Sequence, residues 1–528
     1  MRKRLVIIGL FLISSDAGAQ IRPLNLNYIE RIQDSRYYFA YSNKVAPDDS
    51  GEIRQLHSAI QPAYVGDYGI GFRSGVLSAK FGKDYYDDGP FPLGGKSYDR
   101  KAWRFYPLIE AAGGLQSGNN ARGVYTLGIG PGLEYSGKKM FFTTKILPYI
   151  NQAPFVADSL QKNLNIDAGS NRSPGNGIFY RTEIVGAYQP SRFFLFSGGI
   201  GKNFFGDGYR SMLLSDNAGS NPFVKIETNF GPVQYVNLIQ QWSDNTTNPF
   251  DRTKDGYKYS ATHYISWNVT RNFNVGIFES VVWRSRDSST FRGFDPTYIN
   301  PIVFYRSVEY GAGSADNVLL GLNSSVKIDE KNNFYFQLLL DEFLLSEIKS
   351  DSNWWGNKYG VQLGYKSNRF FTDHLYFQLE YNMARPFTYS HKNPLEAYGN
   401  MNASAAHPLG ANFYEVLNII SWGRELRITN KMVWNSFGRD TSGVSYGQNP
   451  FVSYQLRDGN YGHKITQGLR TNVFNESVIV EFPALAGNYL FFNITYNYRM
   501  EWNKYGITNN HCFLAGVRLR LWNSYTDY

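Results

Sequence analysis

Cysteine is nearly absent: Cys512 stands alone among 528 residues. A lone thiol excludes an internal disulfide framework and any cysteine-rich metal site. No cysteine stands directly after the N-terminal apolar segment, which excludes a lipid-anchored lipoprotein. Long apolar runs are missing too. After the first segment no stretch reaches the length of a membrane-spanning helix, and the mean hydropathy of −0.39 resembles that of a water-soluble chain. There is no Gly-x-Ser-x-Gly elbow, no histidine-rich zinc pattern, no phosphate loop and no heptad repeat. These absences predict a protein that is not an enzyme, with no cofactor, no metal and no nucleic-acid partner.

Aromatic side chains, by contrast, are abundant: 40 Tyr, 38 Phe and 10 Trp make up 17% of the chain. Tyr and Trp favour a membrane–water boundary, where an apolar ring and a polar tip are both satisfied. The chain opens with Arg2, Lys3 and Arg4, a short apolar run from Leu5 to Ile13, and the small residues Ala17 and Ala19. That order predicts a cleaved secretory signal over residues 1–19 and a mature chain starting near Gln20. The net charge of +9, spread over the whole chain, is a weak guide to any partner.

The C-terminal segment predicts the fold. Phe513, Ala515, Val517, Leu519 and Leu521 alternate with Gly516, Arg518 and Arg520, and a period of two puts successive side chains on opposite faces of a strand. An apolar row opposite a polar row, repeated along a secreted chain, predicts an all-β transmembrane antiparallel barrel in the outer membrane of a Gram-negative bacterium, among lipid and lipopolysaccharide. Such barrels alternate short periplasmic turns with long outer loops, so the strands can be counted by parity. Trp103 to Gly113 comes first. Four hairpins follow: Val124–Tyr135 with Met140–Ile150, Phe179–Gln189 with Phe193–Phe205, Phe223–Phe230 with Val233–Gln241, and Tyr257–Val269 with Phe273–Trp283. Then come 316–328, 333–343, 358–367, 374–383, 413–423, 427–437, 466–482, 489–500 and 511–522. The total is about eighteen, enough for an aqueous lumen. Parity holds only if 286–315 and 438–465 are excursions, which places Ile302-Val303-Phe304-Tyr305 inside or above the pore. Residues 20–100 alternate poorly and are expected to form a periplasmic segment or a plug, leaving 101–528 as the barrel.

Several segments stand out between the strands. Gly206-Asp207-Gly208-Tyr209-Arg210-Ser211-Met212-Leu213-Leu214-Ser215-Asp216 places charges around glycine, and Arg210 is expected to pair with Asp207 or Asp216. The plainer reading is a structured tight turn; the other is a pore-lining charge cluster. Met383 to Phe413 is rich in aromatics and proline and is expected to fold into the lumen and narrow it. Its His391 and His407 read as hydrogen-bonding loop histidines rather than metal ligands. Asp341-Glu342 could be an acid and base pair, but strand neighbours face opposite ways, which argues against catalysis. Trp354-Trp355 reads as part of an interfacial belt or as a sugar-stacking platform.

Together these segments resemble the Wzi-type capsule-assembly outer-membrane proteins, in the branch that includes the gliding-motility protein RemB. The resemblance rests on 206–216, on Asn300-Pro301-Ile302-Val303-Phe304-Tyr305-Arg306 with Ser314-Ala315-Asp316-Asn317, on Leu340-Asp341-Glu342-Phe343, and on Arg385–His391 with His407–Phe413. It implies an eighteen-stranded barrel that helps attach capsular polysaccharide to the cell surface, or supports gliding. One departure is that residues 20–100 show no amphipathic helices where this family is expected to carry a helical bundle. The expected ligand-binding groups are Asp207, Tyr209, Arg210, Asp216, Arg385, His391, His407 and Asn412, because tyrosine rings stack on sugars and arginine pairs with uronate carboxylates. The partner is then a surface polysaccharide or, alternatively, a motility or secretion protein. A porin or an outer-membrane hydrolase is the remaining alternative, although no nucleophile, base and acid converge.

Overall fold

Alternating strands build a wall that is apolar on one face and polar on the other, and the computed structural model shows that wall closed on itself. Most of residues 102–528 are described; 300–315, 485–489 and several shorter stretches are not, and before residue 102 only 22–23, 59–61 and 64–65 are. Eighteen antiparallel strands form a closed barrel. In chain order they are β1 Ala102–Gly118, β2 Arg122–Ser136, β3 Met140–Gln152, β4 Ile178–Tyr188, β5 Phe194–Gly201 and β6 Asn221–Phe230. Next come β7 Val233–Asp244, β8 Gly256–Asn268, β9 Phe273–Arg284, β10 Asn317–Lys327, β11 Asn332–Glu342 and β12 Lys358–Ser367. The last six are β13 Leu375–Ala384, β14 Phe413–Trp422, β15 Arg427–Arg439, β16 Leu469–Pro483, β17 Leu490–Asn503 and β18 Gly506–Leu519. Each strand pairs with its sequence neighbour, and β18 closes onto β1 from Asn510–Gly118 to Val517–Ala111.

The side-chain distribution is that of a barrel in lipid. Along β7 the inward positions Gln234, Val236, Leu238, Gln240, Trp242 and Asp244 are all buried. Charged Lys225, Lys258, Glu380 and Glu415 are enclosed, whereas Trp103, Phe105 and Leu115 of β1 are exposed by 54%, 61% and 71%. In water each exposed ring would forfeit about 25 cal/mol per Å² of apolar surface; against acyl chains it does not.

Both predicted excursions hold, because β9 pairs directly with β10 and β15 with β16. Ile302-Val303-Phe304-Tyr305 lies outside the described residues. One end of the barrel carries only short connections, while the other carries 153–177, 202–220, 285–316, 385–412 and 440–468. Two hairpins at the long-loop end differ from expectation. β1 runs on to Gly118 and β17 to Asn503, so their turns shrink to 119–121 and 504–505. The added residues pair in register, Gly118 with Asn510 and Asn503 with Gly506, so both ladders extend beyond the predicted ends.

Among the described residues that enter the lumen are three longer segments. Residues 202–220 bring Phe205, Met212, Leu213 and Leu214 against inward-facing Trp242, Tyr264, Phe278 and Leu339; residues 385–412 add Tyr389, Tyr398, Ala405 and Ala406 to the same core. The predicted strand Phe193–Phe205 is therefore broken. Its last residues leave the wall, Phe204–Phe205 pair with Ile60–Gln61, and the Phe205 ring stacks on Tyr264 at 5.4 Å. The third segment is the C-terminal tail. The outward row holds through Val517, but the strand ends at Leu519 rather than 522, and Leu521 and Trp522 turn inward onto Tyr106, Leu108, Leu147, Tyr149 and Phe179. β18 pairs only with residues 111–118 of β1, so Tyr106 and Leu108 lack cover from a β18 side chain. Leu521 and Trp522 supply it.

Candidate functional site

Three consecutive strands aim charge into the lumen at one place: Glu380 from β13, Glu415 from β14 and Lys431 from β15, all buried. The loop 202–220 docks onto them. Glu380 accepts the backbone N–H of Tyr209 at 2.8 Å and of Arg210 at 3.1 Å, and also the Tyr335 hydroxyl at 2.7 Å. Gly208 is required here, because a Cβ would stand 2.4 Å from the Glu380 carboxylate. Gly364 matters similarly: the Tyr335 ring lies flat over it, at 2.0 Å from where a Cβ would be.

Arg210 is wholly enclosed. Its Nε and Nη2 donate to the two Glu415 oxygens at 3.2 Å each, and Nη2 donates to Asp527 at 2.8 Å. Such forked bonds are the strong geometry for a guanidinium. The rings of Tyr209 and Tyr525 flank it at 4.9 and 5.0 Å. The other Asp527 oxygen meets the Tyr209 hydroxyl at 2.7 Å and the Lys431 amine at 2.6 Å. Burial opposes the charge on Asp527, but Arg210 and Lys431 outweigh it and hold the carboxyl well below the ordinary carboxylate range. Arg210 therefore pairs with neither predicted partner. Asp207 lies near Asn323 and Lys366, and Asp216 accepts from Asn523 and Tyr525 of the tail at 2.6 Å each.

His407 completes the network. Its Nε2 lies 2.8 Å from Glu415 while Nδ1 accepts the Leu409 N–H at 3.2 Å. Both contacts are satisfied by the neutral ring with its proton on Nε2. Burial, together with the nearby Arg210 charge, pushes the ring below its ordinary 6.5 in spite of Glu415. The unfolded chain then binds a proton more readily than the native one. The stabilising contribution is complete above pH 6.5 and is lost as pH falls through the lowered value. Unfolding midpoints in urea should drop as pH is taken below about 6.5, and His407→Gln should flatten that slope; a slope unchanged in the variant would refute the assignment.

The other predicted residues sit elsewhere. Asn412 donates to the Gly438 and Gln467 carbonyls and accepts from Thr466 and Gln467, strapping two loops together. Arg385 donates to the Trp354 and His463 carbonyls. His391 lies 2.9 Å from Glu396, which also binds Arg284. Tyr209, Arg210, Asp216 and His407 are thus brought together around the tail, while Arg385, His391 and Asn412 hold the upper loops. Sequence reasoning missed Glu380, Glu415, Lys431, Tyr525 and Asp527. Inward parity on three successive strands was the available signal for the first three.

Asp341-Glu342 also differs from expectation. The β11–β12 register shifts between Leu340 and Glu342, and such a bulge re-aims side chains. Both carboxylates reach the Lys358 amine, at 3.0 and 3.2 Å. Asp341 further accepts the Tyr389 N–H at 2.8 Å, and Lys358 donates to Ser390 at 3.1 Å. The pair anchors 385–412. At the long-loop face, Trp355 meets Tyr454 at 4.7 Å and lies under the Arg457 guanidinium at 4.0 Å.

No protein-family model matches the chain, and no curated protein matches it. Among solved structures, Wzi of Escherichia coli, described as an outer-membrane protein involved in group 1 capsule assembly and a carbohydrate-binding β-barrel, aligns with a TM-score of 0.54 at 11% identity, over 93% of this chain and 98% of that one. The chain has a Wzi-like outer-membrane β-barrel fold. Two Pseudomonas aeruginosa barrels align more loosely. OccK2 gives a TM-score of 0.43 at 8% identity over 79% and 98% of the two chains, and OprD gives 0.41 at 9% over 79% and 94%.

Proposed function

We propose that this is a non-catalytic barrel of the Gram-negative outer membrane that binds an acidic surface polysaccharide at its long-loop face, with residues 1–19 removed on export. The observation that supports it most is the buried network of Arg210, Glu415, Asp527 and Lys431, which occupies the lumen and leaves the outer loops as the surface for a ligand. Short turns lie in the periplasm and long loops outside in such barrels. On that face Trp355 and Tyr454 with Arg457 combine aromatic surface and a guanidinium, the chemistry that meets a sugar ring and a uronate together. The Wzi-like fold agrees with this reading, Wzi itself being a carbohydrate-binding barrel.

A clean deletion scored on one strain for surface capsule and for colony spreading tests it. Capsule shed into the medium with normal spreading is the expected result. Intact capsule with lost spreading would replace the reading by the motility role of the RemB branch.

A further inference from the structure

The tail enters the barrel as a ligand would. Residues 521–528 belong to no strand, and much of what holds them is side-chain chemistry: Asn523 and Tyr525 on Asp216, Asp527 on Arg210, Lys431 and Tyr209. Asp527 sits directly on two cations, Arg210 and Lys431, with Glu415 on the guanidinium fork and Glu380 on the Arg210 backbone. If the tail withdraws, the Asp527 carboxylate leaves Arg210, Lys431 and the Tyr209 hydroxyl, three groups that converged on one anion. A donor is also left over: Nη1 of Arg210 is buried with no hydrogen-bond partner among the described residues. Beside the tail lies a cavity of about 230 Å³ lined by Tyr209 and Lys431, by Thr126, Ser477, Asn493 and Asn497, which suit hydroxyl groups, and by the carboxylates Glu110, Asp167 and Glu481.

We propose that Arg210, Lys431 and the Tyr209 hydroxyl form a carboxylate-binding site that the protein's own Asp527 fills in this conformation, and that the same site takes a hexuronate when the tail is out. The carboxylate replaces that of Asp527, the sugar face lies on Tyr209, and the ring hydroxyls reach Arg210 Nη1 and the polar wall of the cavity. The site lies inside the barrel and is independent of what the loop face binds.

The test uses the barrel in lipid vesicles, the full chain beside one ending at Arg520, titrated calorimetrically with D-glucuronate and with D-glucose. The shortened barrel is expected to bind glucuronate at least about ten-fold more tightly than glucose, and the full chain to bind neither. The synthetic peptide of residues 521–528 should compete with glucuronate, and the same peptide with Asn for Asp527 should not. Lys431→Gln in the shortened barrel should abolish the preference. Equal binding of glucuronate and glucose, or a preference that survives Lys431→Gln, overturns the proposal. If the shortened barrel fails to fold, Asp527→Asn in the full chain decides: it binds glucuronate at least about ten-fold more tightly than glucose or the proposal falls.

Discussion

Glu415→Gln is expected to lower the stability of the folded barrel by about 3–5 kcal/mol. Glu415 is fully enclosed, is held by both arms of the Arg210 fork, and meets His407 on the same oxygen that receives Nε. Neutralising it leaves the wholly enclosed Arg210 guanidinium with Asp527, shared with Lys431, as the carboxylate bonded to it. Breaking one side of a buried pair costs far more than the pair itself contributes, because the surviving charge stays desolvated. Gln keeps the shape, so the loss reports charge rather than packing. Urea unfolding in lipid vesicles, followed by tryptophan fluorescence, measures it. A change under about 1 kcal/mol, the size typical of a screened surface pair, would show the network to be wet.

Lys358→Met should have an effect of the same order, about 3–5 kcal/mol, by the opposite sign of charge. Lys358 is enclosed between Asp341 and Glu342 and reaches the Ser390 carbonyl. Without its amine two carboxylates are brought together by the bulge with nothing between them, and the contact from Asp341 to the Tyr389 N–H is strained. Residues 385–412 should loosen first, seen as faster proteolysis there than in the wall. Adding Asp341→Asn to Lys358→Met should recover part of the loss, because the remaining carboxylate is then the half-exposed Glu342. A double variant no better than the single would assign the effect to packing.

The wall was legible in the sequence because lipid imposes a period of two, and parity then checks each turn against the next. That is why β9 could be joined to β10 across a thirty-residue excursion. What fills the barrel was less legible. The segment 206–216 could be singled out by its glycines and charges, yet its partners could not. Glu415 and Asp527 stand 205 and 317 residues from Arg210, and no local pattern links residues so far apart. The end of the last strand was misread for a related reason: Leu521 continues the alternation, but the uncovered pair Tyr106 and Leu108 draws it inward. The paired aim of Asp341 and Glu342 depends on a bulge, which no residue type announces.

The position of residues 521–528 bears on how this protein can be handled. Asp527 is buried, and Tyr528 packs against the lumen core. A tag or fluorescent fusion joined within residues 521–528 competes with these contacts for space in the lumen. Such a fusion would report on an altered protein. The two-residue turn between β17 and β18, where Tyr505 is 77% exposed, accepts an epitope without touching the interior. Labelled there, the barrel can be followed with residues 521–528 in place.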